Sequence, residues 1–178
     1  MSLVFQKRFL SIYKNMTNNK NIKIKKITQK DINQFWDYFK ISVEKQFPEY
    51  PIKVRKFFLE KQYTKSHLKQ WLKRGTITLL VAKNKNNIVG YLLANDSYGG
   101  VSSIIWLAVK NSFQRKGIGG SLLRRYEIIA KKQEVHKITL LVTNKKNIKF
   151  YEKNDYKLAG YIPQFYFKID SWWLYKEL

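Results

Sequence analysis

Residues 101–132 read as a strand, a tight glycine-rich turn and a helix in direct succession, and this order limits the fold more than any other feature. Val101-Ser-Ser-Ile-Ile-Trp-Leu-Ala-Val109 is rich in β-branched and aromatic residues, the composition of a strand. Ile118, Leu122, Leu123, Tyr126, Ile129 and Ala130 recur at the spacing that sets them on one face of a helix. Between them, Gly117, Gly119 and Gly120 let backbone N–H groups approach a ligand with no Cβ in the way. The helix start behind them carries partial positive charge, and the two together suit a phosphate or pyrophosphate. Turn chemistry alone also accounts for glycines at a helix start. A dinucleotide loop would need Gly-x-Gly-x-x-Gly with an acidic residue about 20 residues on, and an ATP loop would need Gly-Lys-Ser/Thr. Neither pattern is present.

Composition removes several classes of chemistry. The 178 residues are enough for one domain with a proper core, and an apolar fraction of 44% points to a folded chain. There is no cysteine, so disulfides, thiol nucleophiles and an acyl-cysteine intermediate are ruled out. The only histidines, His67 and His136, read as surface residues and leave little room for a histidine metal site or a Ser-His-Asp triad. The formal charge of +23 attracts polyanions, but the lysines are spread along the whole chain, the pattern of a solvated surface. No segment reaches the roughly 20 apolar residues of a membrane span. Residues 1–20 read as an N-terminal extension. Gln6-Lys7-Arg8 interrupts its apolar runs, which makes it a poor secretory signal, and Met16 is an alternative start.

Residues 21–178 read as one domain. Strands are expected at 21–26, 76–83, 88–95, 101–109, 137–142, 156–162 and 171–176. Helices are expected at 31–45, at 52–73 in two pieces split near Thr64-Lys-Ser66, at 118–133 and at 145–154. Thr28-Gln-Lys-Asp31 has the form of a capping box. Phe47-Pro-Glu-Tyr-Pro51 breaks the first helix, Gly75 ends the second helical region, and Asn84-Lys-Asn-Asn87 is a hairpin turn. The result is a mixed α/β sheet in which the strand–helix–strand unit from 101 to 142 forms a parallel crossover.

Two linked stretches resemble the GNAT (GCN5-related) N-acetyltransferase family. Gln114-Arg-Lys-Gly-Ile-Gly-Gly120 is similar to its Arg/Gln-x-x-Gly-x-Gly/Ala signature, with Leu107-Ala-Val109 at the end of the preceding strand. Leu141-Val-Thr-Asn144-Lys-Lys-Asn147-Ile-Lys-Phe-Tyr151-Glu-Lys-Asn-Asp-Tyr156 is similar to its second motif. The resemblance is firm over about residues 77–160. It implies a single GNAT-like domain with a mixed sheet of six to seven strands, splayed between strands 4 and 5 and flanked by about four helices. It also implies direct transfer of acetyl from acetyl-CoA, without a metal, to a primary amine on a small molecule, peptide or protein. A cytoplasmic monomer or homodimer is expected.

The resemblance assigns roles residue by residue. Leu107, Ala108 and Val109 would pair with the pantetheine arm of acetyl-CoA. The loop Gln114, Arg115, Lys116, Gly117, Ile118, Gly119, Gly120 and Ser121 would hold the pyrophosphate through main-chain N–H groups, with Arg115 and Lys116 adding charge. Asn144 and Asn147 would contact the cofactor, and Tyr151 would serve the leaving sulfur, a role a phenol fills by giving a proton or a hydrogen bond. Three departures stand out: Asn147 where alanine is usual, Asp155 where glycine precedes an aromatic, and no carboxylate in 102–106 where some members place a base. Glu44, Glu49 and Asp96 are the nearest base candidates, with a water chain as the alternative. Tyr161, Phe165, Tyr166, Phe167, Trp172 and Trp173 crowd the last two strands and their link, which in members that act on protein N-termini grips the peptide. The competing reading is a basic module on the same scaffold that binds nucleic acid or another polyanion.

Overall fold

The computed structural model describes residues 22–178, so the N-terminal extension, its comparison with a secretory signal and Met16 lie outside the described residues. The chain opens with β1 (Ile22–Lys26), an edge strand with exposed Lys23 and Lys25. Charge on such an edge discourages pairing with another chain. Asp31 then turns the chain: its carboxylate accepts the Thr28 N–H at 3.3 Å and the Lys25 ammonium at 2.7 Å. Helix α1 (Ile32–Gln46) buries Ile32, Phe35, Phe39 and Val43 on one face, as their spacing dictates. Truncating a fully buried ring such as Phe39 to alanine would cost about 3–5 kcal/mol.

Helix α2 (Ile52–Phe57) runs into one wider turn, Phe58–Gln62, closed by Tyr63 N–H to Phe58 C=O at 2.7 Å. A π turn of this kind often marks a functional site, and this one faces the cavity described below. Thr64 separates α2 from α3 (Lys65–Arg74) and caps it, its hydroxyl accepting the His67 N–H at 3.2 Å. Gly75 ends α3 with φ 72°. The second helical region is therefore two helices, split where Thr64 was expected to split it.

Strands β2 (Ile77–Asn84) and β3 (Asn87–Asn95) form a hairpin, followed by β4 (Val101–Val109), α4 (Ile118–Lys132) and β5 (Lys137–Val142). Helix α5 (Ile148–Glu152) follows a 3₁₀ turn at Lys145–Asn147 and is shorter than the expected 145–154, because Asn144 caps the turn from outside. Strands β6 (Lys157–Ile162) and β7 (Ser171–Glu177) complete the sheet. Asp155, before β6, has φ 68°, the left-handed conformation that glycine would adopt more readily.

The seven strands lie in the order β1-β2-β3-β4-β5-β7-β6. Only β4 and β5 pair in parallel. Each face has its own core. Leu122, Leu123 and Tyr126 of α4 pack on one side with Ile148 of α5, and the aromatics of α1–α3 pack on the other.

Strand β4 decides the shape of the sheet. It pairs with β5 only from Val101–Lys137 to Ile104–Leu140. At the next residue the register with β3 slips: Ala94 faces Ile104 and Leu93 faces Trp106, leaving Ile105 as an extra residue. Such a bulge bends its strand and raises the local twist. Beyond Ile104, β4 continues along β3 while β5 follows β7 to Val142. The bulge thus coincides with the parting of the two parallel strands, and the expected splay between strands 4 and 5 is present.

Candidate active site

The open segment of β4 leads directly into the glycine loop. Gln114 braces the junction: its side-chain amide donates to Val109 C=O at 3.0 Å and to Asn111 Oδ1 at 3.2 Å. Gln46 of α1 donates to the same carbonyl at 3.3 Å, so Val109 C=O is already engaged. Leu107 and Val109 lean on the α4–α5 core, and Ala108 is buried in the opposite one.

The loop geometry follows from two left-handed residues. Arg115 has φ 58°, and Gly117, at the helix cap, has φ 77°. The first intrahelical bond runs from Ser121 N–H to Gly117 C=O at 3.0 Å. The N–H groups of Ile118, Gly119 and Gly120 therefore belong to the first helical turn, which has no acceptor within the helix. Arg115 and Lys116 are exposed beside them, the Lys116 ammonium 5.0 Å from the centre of the Phe113 ring. Ser121 Oγ accepts from Arg124 at 3.1 Å, and Ile118 is buried.

Packing, not ligand access, explains the bareness of Gly119. A Cβ there would sit 2.9 Å from Cζ of Phe150 on α5. The glycine lets α4 and α5 approach each other. The anion reading thus rests on the free helix-start N–H groups and the flanking cations, and glycine count adds nothing to it.

Tyr151 of α5 is half-buried against the α4–α5 core, its ring edge-on to Phe150 at 5.0 Å and to Tyr156 at 5.8 Å. Burial pushes its phenol well above the ordinary tyrosine value, so it stays protonated. Among the described residues its hydroxyl has no hydrogen-bond partner. Asn144 Oδ1 accepts the Lys146 N–H at 3.1 Å, which makes this residue first a cap. Asn147 is exposed, its backbone N–H bonded to Asn144 C=O at 2.9 Å.

On the α1–α3 face, a cavity of about 840 Å³ opens at the splay. Its walls include the π turn and its flanks, β4 from Ser103 to Trp106, β5 from Thr139 to Leu141 with Thr143 beyond it, and the β6–β7 link with Trp173. Phe167 closes one side, 5.7 Å from Phe57 and 5.4 Å from Phe58 between ring centres. Of the six aromatics singled out near the C-terminus, Phe165, Tyr166, Phe167 and Trp173 line the cavity. Tyr161 and Trp172 do not, and instead face each other at 5.3 Å. The cavity and Tyr151 lie on opposite faces of the sheet, where β4 and β5 part.

Of the three carboxylates suggested as a base, only Glu49 reaches this place. Its Oε1 accepts a hydrogen bond from Thr143 Oγ1 at 3.0 Å. Thr143 and the neighbouring Tyr50 line the cavity. Burial raises the Tyr50 phenol, and its own bond with Thr143 opposes that rise. Glu44 is exposed, and Asp96 holds the Ser97 N–H at 2.9 Å in the turn before β4. His67 and His136 are both exposed. Among the described residues there is no cluster of three or more His, Asp or Glu able to hold a metal, and no helix long and apolar enough to cross a membrane. The Thr143–Glu49 bond and the Ile105 bulge were not found from the sequence.

Comparison with known proteins places the chain. The sequence model of the acetyltransferase (GNAT) family matches residues 36–156. Similar solved structures include the PaiA N-acetyltransferase of Thermoplasma acidophilum in complex with coenzyme A, at 21% identity and a TM-score of 0.75, covering 88% of this chain and 99% of that one. The ribosomal-protein-alanine N-acetyltransferase of Brucella melitensis is 20% identical, with a TM-score of 0.69 and coverage of 88% and 99%. An aminoglycoside 6'-acetyltransferase type Ii is 17% identical, with a TM-score of 0.67 and coverage of 87% and 96%. No curated protein matches the chain.

Proposed function

The chain belongs to the acetyltransferase (GNAT) family, and from that premise we propose that it transfers an acetyl group from acetyl-CoA directly to a primary amine. The observation that carries the reading is the parting of β4 from β5 after Ile104–Leu140, directly before a helix start with free N–H groups. The N–H groups of Ile118–Gly120, with Arg115 and Lys116 beside them, fit a diphosphate. The unpaired edge of β4 beyond Ile104, chiefly at Leu107 and Ala108, fits an extended amide-bearing arm. Acetyl-CoA carries both groups, and the Thermoplasma acidophilum neighbour was solved with coenzyme A.

When bound, acetyl-CoA supplies an acetyl thioester. This chain's residues then move two protons. The amine enters as an ammonium and must lose a proton before its lone pair can attack. Thr143 accepts that proton as it passes its own to Glu49. The C–N bond forms as the C–S bond breaks, and Tyr151 gives its phenolic proton to the departing sulfur. The second nitrogen proton, returned through water, restores the phenol, and Glu49 releases its proton to solvent, so that each transfer frees one proton.

Calorimetric titration with acetyl-CoA, followed by an assay of CoA release with amines, tests the reading. Absence of acetyl-CoA binding would overturn it. The charge of +23 favours one competing reading, a polyanion-binding module. That reading predicts a larger thermal shift with a polyanion than with acetyl-CoA, and a complex that weakens steeply with salt.

A further inference from the structure

The cavity on the α1–α3 face carries information about the acceptor. Among the described residues its lining contains no Asp, Glu, Lys or Arg. Its walls are mainly aromatic, with Tyr50, Phe58, Tyr63, Trp106, Phe167 and Trp173 as the large contributors. The polar lining consists of neutral groups such as Ser103 and Thr139, which hydrogen-bond each other at 2.5 Å across β4 and β5. Glu49, behind Thr143, is the carboxylate tied to this wall. A polycation in such a cavity would lose hydration at several charges and gain no counter-charge for them. The net charge of +23 is an independent observation with the same sign, because it repels multiply charged cations before they arrive.

An amine with one charge on an apolar body meets the opposite situation. Its body buries against aromatic faces, and its ammonium is met by those faces while still charged. Desolvation then lowers the ammonium's pKa and favours the free base that attacks.

Resting on the acetyltransferase reading, we infer that the acceptor is a primary amine on an uncharged aromatic or apolar body, and that polycationic amines are rejected.

The test compares 2-phenylethylamine and phenylalaninamide with spermidine and kanamycin. Each is assayed for acetyl transfer and titrated calorimetrically against the full chain. The expected result is kcat/KM at least tenfold higher for the aromatic amines. Trp173→Glu, at a position 47% exposed, is the second arm. It should lower kcat/KM for 2-phenylethylamine by about tenfold and raise that for spermidine, with melting temperature held. Binding of acetyl-CoA together with preferred use of spermidine or kanamycin would overturn the inference, as would Trp173→Glu leaving the preference unmoved. Binding of the aromatic amines without any binding of acetyl-CoA would instead overturn the acetyltransferase reading and leave the pocket assignment standing.

Discussion

Thr143 Oγ1 donates to Glu49 Oε1 at 3.0 Å, and this bond joins the end of β5 to the loop between α1 and α2. It places a carboxylate one hydroxyl away from the cavity wall. Glu49→Gln keeps the size of the side chain and the bond with Thr143 but removes the proton acceptor. Turnover at neutral pH should fall about 10²-fold. Melting temperature should hardly move, because the pair is only half-buried. Wild-type turnover in Glu49→Gln would dismiss the relay.

Tyr151→Phe removes one hydroxyl that bonds to none of the described residues and leaves the ring packed on Phe150 and Tyr156. Stability and acetyl-CoA affinity should therefore change little. Turnover should drop about 10²-fold or more, since the proton is needed only as charge develops on sulfur. Nearly normal turnover with a lower melting temperature would make Tyr151 a packing residue.

The anion site is best tested where packing is not disturbed. Gly119→Glu is unsuitable, because any Cβ at this position strikes Phe150. Gly119→Ala should by itself cost about 1–3 kcal/mol of stability. Arg115→Glu reverses an exposed charge at the loop and should weaken acetyl-CoA binding about tenfold at low salt. The difference should shrink as salt rises. Equal affinities by calorimetry at low salt would remove Arg115 from the site.

Alkaline pH should destabilise the fold through its buried phenols. Burial pushes Tyr38 and Tyr63 up to about 12, against about 10 in the unfolded chain. With the folded values raised, this contribution is fully present below pH ~10 and is lost as pH climbs towards ~12. Lysines lose charge over the same range and relieve repulsion, so a falling melting temperature there reports the tyrosines. Tyr63→Phe should flatten the fall.

What could be read from the sequence depended on contrast between neighbouring residues. The helix after Gly117 was legible because Leu122, Leu123 and Tyr126 stand among Arg124, Arg125 and Glu127, so the 3.6-residue period is visible. The bulge was not legible, since Ile104, Ile105, Trp106 and Leu107 are all apolar and a shift in a period of two leaves no trace there. The Thr143–Glu49 bond spans 94 residues and involves residue types common on any surface. The cavity walls are built of the same aromatics as the core beneath them, and only the fold separates wall from filling.

The extra residue in β4 also sets a parity. Before it, Ser102 and Ile104 face α4; after it, Trp106 and Ala108 face α1, and Leu107 and Val109 turn to α4. Deleting Ile105 would bring Trp106 next to Ile104, and plain alternation would keep each of these side chains on the face it holds now. Both cores would survive the shortening. What would go is the bend, and with it the local cause of β4 leaving β5 after Leu140. The strand carries one residue more than its packing needs, and that surplus opens the sheet.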